Sequence, residues 1–217
     1  MNLTRTLKQL WAPHCQLCRY QNKMAGKLLC AGCLSDMPLR NFDEAQIHSV
    51  GVPAFAAASY AYPIDQLLHS YKYHHQVQLA ELLSELIATL PKPRAGTLIA
   101  PMPSSNARIK ERGFDHMDLI AQKLAHRWGL SVWRGLKRSG HAPKQKTLSR
   151  AERVANVVNQ ISSRPPPLGH PILLLDDVST TGATLNAAVR SLQGHFAKPS
   201  DARVFAYVLA HEFKHAD

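Results

Sequence analysis

Residues 172–185 read ILLLDDVSTTGATL, and this stretch decides the fold of the 217-residue chain. Its branched apolar run predicts a buried strand, and the small and hydroxyl residues after it predict a turn that begins a helix. Asp176 and Asp177 come at the carboxyl end of that strand, where open α/β sheets present groups to their ligands. The stretch therefore predicts a strand, a turn and a helix with a ligand site between them.

The residue types at this turn favour a ribose phosphate. The adjacent carboxylates Asp176 and Asp177 supply acceptors for two vicinal hydroxyls. Free backbone N–H groups and the positive end of a helix suit a phosphate, and the residues placed there are Ser179, Thr180, Thr181, Gly182, Ala183 and Thr184. The lysine of a nucleotide-binding P-loop is missing from the motif. An ordinary helix cap is the alternative for the acidic pair alone, but the whole string favours the phosphate site.

Strands and helices alternate along the rest of the chain. Strands are predicted at 54–62, 97–100, 132–137 and 204–209, and helices at 64–90 with a break near His74, at 112–128 and at 184–192. Such alternation is typical of a doubly wound α/β fold, in which helices flank a parallel sheet.

Composition limits the class of protein. The 45% hydrophobic and 19% charged residues exclude global disorder. The 26 basic and 15 acidic residues give a net charge of +11, which favours an anionic partner. The sequence has no apolar run of about 18 residues and no signal-peptide core, so we expect a cytoplasmic protein that does not insert into membranes.

Four cysteines cluster near the start of the chain. Cys15 and Cys18 form one CxxC pair, and Cys30 and Cys33 form a second. Four thiolates complete a tetrahedral, structural Zn²⁺ site, whereas two disulfides are the alternative. We expect a zinc module and connector at 1–52 and the α/β domain at 53–217.

Residues 173–184 resemble the signature of type I phosphoribosyltransferases, which bind 5-phosphoribosyl 1-pyrophosphate (PRPP). The wider chain resembles the ComF (ComFC/GntX) family, linked to DNA uptake in competent bacteria, through SYAYPIDQLLHSYKYHHQVQLA, LIAPMPSSNARIKERGFDHMDLIAQKLA and KTLSRAERVANV. The family's Pro-Val-Pro appears here as Pro101-Met102-Pro103. Its Arg-Gly-Phe-Asn-Gln appears as Arg112-Gly113-Phe114-Asp115-His116, so this chain departs from the family at the last two positions.

The resemblance implies a type I phosphoribosyltransferase-like fold that binds PRPP with Mg²⁺, the metal being held mainly by PRPP and water. Asp176 and Asp177 would orient the ribose and the metal's waters. The loop at 102–108, with Ser104, Ser105, Asn106 and Arg108, would bind pyrophosphate; an ordinary Pro-Ser turn is the alternative. A mobile basic loop at 141–153 would close over it, and its cations are Lys144, Lys146 and Arg150; a merely solvated basic loop is the alternative.

Between positions 106 and 153 lie twelve basic and four acidic residues. This charge suits single-stranded DNA or the phosphates of PRPP equally.

Three functions follow as hypotheses. The first is a PRPP-binding ComF-type protein that assists uptake of single-stranded DNA, with competence-machinery proteins as partners. The second is a salvage phosphoribosyltransferase for a small nitrogen base, and the third is a zinc-stapled DNA adaptor with a vestigial PRPP pocket.

Overall fold

A computed structural model describes residues 14–20, 28–139, 161–198 and 201–213. The strands are β1 (Ala54–Ser59), β2 (Leu98–Pro101), β3 (Ser131–Val132), β4 (Leu136–Arg138), β5 (Ile161–Ser163), β6 (Ile172–Ser179) and β7 (Val204–His211). The helices are α1 (Ala31–Ser35), α2 (Ile64–Tyr73), α3 (Leu79–Ile87), α4 (Asn106–Arg112), α5 (His116–Trp128) and α6 (Ala183–Gln193), with a 3₁₀ turn at Phe42–Glu44.

The main sheet is parallel and has the strand order β1-β7-β6-β2-β3, so the motif strand β6 lies at its centre. Strands β4 and β5 form a separate antiparallel pair. The predicted α/β fold, a parallel sheet flanked by helices, is confirmed. None of the helices in the described part of the chain is long and apolar enough to cross a membrane.

The side chains of β6 alternate between two layers of the core. Leu173 and Leu175 pack in the cluster that contains helices α2, α3 and α5. Ile172 and Leu174 pack in the cluster that contains α6 and the β4–β5 pair. Because successive strand residues face opposite sides, the adjacent carboxyl groups at the end of β6 start from opposite faces of the sheet.

Two boundary predictions are wrong. The helix predicted at 112–128 begins only at His116, because Gly113, with φ +79°, ends the preceding helix α4 and Asp115 caps α5. Helix α4 therefore begins inside the segment predicted as a loop at 102–108. The strand predicted at 132–137 is also divided, because the chain leaves the main sheet after β3 and enters the β4–β5 pair.

The segment before β1 lies along the edge of the sheet. The N–H groups of Arg40 and Ile47 donate to Ala57 and Ala54, and Ala45 accepts from Ala56. The boundary at residue 52 stays a prediction, and these contacts tie its two sides together.

Candidate functional site

Two adjoining spaces open where β6 and β2 end. The larger has a volume of about 210 Å³ and is lined by Lys72, Tyr73, Met102, Pro103, Ser104, Arg108, Arg112, His116, Arg138, Asp176, Asp177, Val178 and Thr184. The smaller, about 50 Å³, lies against the turn after β6 and is lined by Asp176 and residues 178–185. Asp176, Val178 and Thr184 border both, so the two spaces are continuous at these residues.

Asp177 is held by other parts of the protein. Its Oδ2 lies 2.5 Å from Lys72 Nζ and 2.6 Å from His116 Nε2, and its Oδ1 accepts from the Val178 N–H at 2.7 Å. Burial disfavours the charged carboxylate, but the hydrogen bond from His116 and the charge of Lys72 outweigh it and hold the pKa of Asp177 well below its ordinary value. A ribose hydroxyl that binds Asp177 therefore has to compete with these contacts.

The neighbours of His116 fix the position of its ring proton. Nδ1 lies 3.2 Å from Arg112 Nη1 and 3.0 Å from Ser104 Oγ. A guanidinium only donates, so Nδ1 is the acceptor and Nε2 carries the proton that goes to Asp177. Arg112, His116, Asp177 and Lys72 thus form one continuous polar chain along the wall of the cavity.

Asp176 has fewer polar contacts than Asp177. It is half-buried, and its Oδ1 accepts from the Asp177 N–H at 2.9 Å. Burial, and then the negative charge of Asp177, raise the pKa of Asp176 to about 7. It borders both spaces, so it is the better placed of the pair to accept a ligand hydroxyl or to bind a cation once ionised.

The turn after β6 is braced from outside by residues 49–51. Gly182 has φ +72°, and a Cβ there would lie 2.9 Å from Val50 Cγ2 and 3.0 Å from Ser49 Oγ. Asn186 binds the same segment, donating to Ser49 O and accepting from the Gly51 N–H, both at 2.8 Å. The close approach that requires glycine here is therefore made by the protein's own chain.

The hydroxyl residues of the turn differ in their surroundings. Ser179 Oγ is buried and has no hydrogen-bond partner among the described residues, while Thr181 Oγ1 accepts from the Ala183 N–H at 3.4 Å. Thr180 and Thr184 border the smaller space. These residues lie together at the turn, and their role in phosphate binding stays a prediction.

The predicted pyrophosphate residues are brought to the cavity only in part. Ser104 and Arg108 line it, although Ser104 already binds His116. Ser105 instead caps helix α4 by accepting from the Arg108 N–H at 3.4 Å. Lys144, Lys146 and Arg150 of the basic loop lie outside the described residues.

Sequence reasoning missed most of the cations in this wall. Lys72 and Tyr73 end helix α2, far along the chain from the motif, and no local pattern signals their place. Arg112 and His116 stood in the segment that resembles the family motif, but no ligand role was assigned to them. Arg138 ends β4, whose pairing with β5 depends on contacts distant in sequence.

The four cysteines converge as a metal-binding set. Their sulfur atoms all lie within 4.8 Å of one another, and Cys18 Sγ is 3.8 Å from Cys30 Sγ. Tetrahedral zinc with Zn–S bonds of about 2.3 Å separates its sulfurs by about 3.8 Å. A disulfide needs about 2.05 Å, and all four thiols are free. The set fits one tetrahedral metal ion and not two disulfides.

The close thiols shift one another's pKa. Burial raises the pKa of Cys15, but hydrogen bonds from the backbone at Cys30 and Cys18 outweigh it and bring the pKa to about 6. Burial, followed by hydrogen bonds with the neighbouring thiols, raises the pKa of Cys33 to about 12. A metal ion bound by all four sulfurs would release the remaining thiol protons and balance the resulting negative charge.

Comparison with known proteins gives relatives but no matching family model. The chain is 31% identical to the DNA utilization protein YhgH of Escherichia coli K12 over 137 residues, which cover 59% of this chain and 60% of that protein. It is 26% identical to competence protein F of Haemophilus influenzae over 175 residues, covering 76% and 72%. The predicted resemblance to the ComF family is confirmed. The chain spans about three fifths of the length of the YhgH relatives it matches.

Solved structures share part of the architecture. The allosteric regulatory enzyme of purine biosynthesis superposes with a TM-score of 0.43 and 16% identity, over 64% of this chain and 29% of the enzyme. A Trypanosoma cruzi hypoxanthine phosphoribosyl transferase gives 0.31 and 14%, over 67% and 70%. The fold of this chain is defined by its own strands and helices, described above.

Proposed function

We propose that this ComF-type protein binds PRPP or ribose 5-phosphate together with Mg²⁺ and assists the uptake of single-stranded DNA. The observation that carries the proposal is the pair of adjoining spaces at the end of β6. One is bordered by a turn with hydroxyl side chains and the other by several cations, and Asp176 stands between them. A sugar with phosphates at both ends has this distribution of groups.

The ligand's 5′-phosphate would lie on the turn at 180–184, where free N–H groups and the start of α6 favour an anion. Its ribose would lie on Asp176, and its pyrophosphate would extend into the larger space. Mg²⁺ prefers carboxylate and phosphate oxygens, and Asp176 supplies such an oxygen when ionised. Metal and ligand together would favour the ionised form.

The DNA role is supported by the names of the relatives and by the arrangement of basic residues. Lys123 and Arg127 pair with Glu81, and Arg134 pairs with Asp118, so these charges are balanced on the surface. Lys110 and Lys137 are exposed and have no carboxylate within 4.0 Å among the described residues. They lie on α4 and β4, the elements that bring Arg112 and Arg138 to the cavity, so we assign single-strand contacts to this side.

We also assign Zn²⁺ to the cysteine set, because thiolate ligands in a closed tetrahedron suit zinc and leave no open position for catalysis. Its role would be to hold the two CxxC segments together.

Calorimetric titration with PRPP and with ribose 5-phosphate, each with Mg²⁺, tests the ligand. Both should bind, and Thr184→Val should weaken both by about tenfold because it removes a hydroxyl next to the phosphate. Thr89→Val is the matched control, since Thr89 Oγ1 donates to Leu86 O at the end of α3. Absence of binding by the parent protein to either ligand would show that the proposal is wrong.

A further inference from the structure

Arg112 is a buried cation in the wall of the larger space. Only 5% of its surface is exposed. Its Nη1 donates to His116 Nδ1, its guanidinium lies 5.2 Å from the centre of the Tyr73 ring, and its Nε has no hydrogen-bond partner among the described residues. No carboxylate of the described chain lies within 4.0 Å of it.

This lack of a counter-ion distinguishes Arg112 from its neighbour. Lys72 is half-buried, with 18% of its side chain exposed, and Asp177 balances its charge. The partner of Arg112 is the uncharged acceptor Nδ1 of His116, so its positive charge is not compensated. A buried unbalanced charge is costly, and an anion that enters the adjoining space would remove that cost.

The surrounding backbone holds Arg112 in place. Its carbonyl accepts from the Nδ1–H of His75 at 3.1 Å, and Tyr71 Oη donates to the carbonyl of His116 at 2.7 Å. Gly113, in the left-handed region, ends the helix directly after it. The guanidinium is therefore positioned before any ligand arrives, which reduces the ordering cost of binding.

We infer that Arg112 binds the diphosphate of the ligand and so sets a preference for a sugar diphosphate ester over a monophosphate. The inference rests on the proposed function, since it assigns one end of the same site. The turn at 180–184 offers room for a single phosphate, whereas Arg108, Arg112 and Arg138 line the larger space. Guanidinium groups bind phosphate oxygens through two parallel hydrogen bonds, which favours arginine for this task.

The test is titration of Arg112→Met with PRPP, inorganic pyrophosphate and ribose 5-phosphate, each with Mg²⁺. Affinity for PRPP and pyrophosphate should fall by about 30-fold, because a hydrogen-bonded ion pair is lost, while affinity for ribose 5-phosphate stays within about threefold. Arg190→Met removes the same charge from the exposed face of α6 and should leave all three affinities unchanged.

A stability measurement separates binding from structure. Without ligand, Arg112→Met should melt at the parent's temperature or above, because an unbalanced buried charge is replaced by an apolar group of similar length. Ser104 Oγ, 3.0 Å from His116 Nδ1, then supplies the donor that Arg112 provided. If Arg112→Met does not fold, Arg112→Lys, which keeps the charge but loses the paired donors, should weaken PRPP by about tenfold.

Equal losses for PRPP and ribose 5-phosphate, or no loss for PRPP, would overturn the role of Arg112. The proposed function would stand in both cases, because the parent protein still binds PRPP. If the parent protein binds none of the three ligands, both the role of Arg112 and the proposed function are wrong.

Discussion

At the scale of single residues, the two carboxyl groups at the end of β6 have different chemistry although they are adjacent in sequence. Asp177 faces the layer of α2 and α5, where Lys72 and His116 stabilise its charge. Asp176 faces the other layer, where burial and the neighbouring charge disfavour ionisation. The sequence predicted two equivalent acceptors, and alternation along the strand makes them unequal.

Asp176 should make the stability of the protein depend on pH. Its pKa in the folded chain is about 7 against an ordinary 3.8, so the folded state binds the proton more tightly. Its contribution to stability is fully present below about pH 4 and is lost as pH rises through about 7. Asp176→Asn should therefore raise the melting temperature at pH 8 by about 3 °C and change it little at pH 4. A shift of the same size at both values would contradict this.

The carboxyl group of Asp177 should change the pH dependence of stability in the opposite direction to Asp176. Asp177→Asn leaves the half-buried Lys72 without its counter-ion, so we expect a loss of about 2 kcal/mol in the free energy of unfolding at pH 7. Because the folded pKa of Asp177 is lowered, the difference should shrink as pH falls below about 4. Asp118→Asn breaks the exposed pair with Arg134 and should cost at most about 1 kcal/mol. Urea denaturation measures both, and equal costs would contradict the buried-pair argument.

At the scale of secondary structure, the sequence predicted what depends on local pattern. The apolar run predicted β6, and the turn residues predicted the start of α6. The predicted break near His74 lies between α2 and α3 in the structure. Helix α4 was missed because residues 102–108 were predicted to be a loop from the family resemblance. Lys72 at the cavity and residues 49–51 at the turn were missed because they reach the site through contacts distant in the chain.

The turn needs glycine at position 182 for two reasons, a positive φ and a lack of space for a Cβ, and two substitutions separate these reasons. Gly182→Ala combines a positive φ with a Cβ 2.9 Å from Val50, whereas Gly129→Ala has φ +66° and no atom within 4 Å of its Cβ. Gly129→Ala should cost about 1 kcal/mol for the backbone alone. Gly182→Ala should cost about 3 kcal/mol and weaken ribose 5-phosphate binding. Equal costs in urea denaturation would show that residues 49–51 yield to the new side chain.

At the scale of the whole molecule, net charge alone does not locate the surface that binds DNA. Lys110→Gln with Lys137→Gln removes two cations that no described carboxylate balances. Lys123→Gln with Arg127→Gln removes two that pair with Glu81 and Glu85. The first pair should weaken single-strand binding by about tenfold at 50 mM salt and flatten its salt dependence, and the second should change little. Equal effects in a salt series would show that binding follows overall charge.

The cysteine set is joined to the core through Cys15, which is fully buried in the same apolar cluster as Leu29, Met37 and the helices α2, α3 and α5. Metal therefore holds one end of this cluster, while the sheet has its own apolar strands. We expect about one zinc per chain in protein purified without chelator.

Cys30→Ser removes a metal ligand without removing the helix cap. Cys30 is the N-cap of α1 and its Sγ accepts from the Cys33 N–H at 3.5 Å, a role that serine fills well. The variant should therefore keep the cap but lose zinc, become sensitive to protease near the cysteines, and melt a few degrees lower with the sheet still folded. Ser35→Ala, which removes only a hydrogen bond to Gly32 O, should retain full zinc. Well under one equivalent of zinc in the parent protein would contradict the assignment, and loss of the whole fold in Cys30→Ser would show that the sheet depends on the metal.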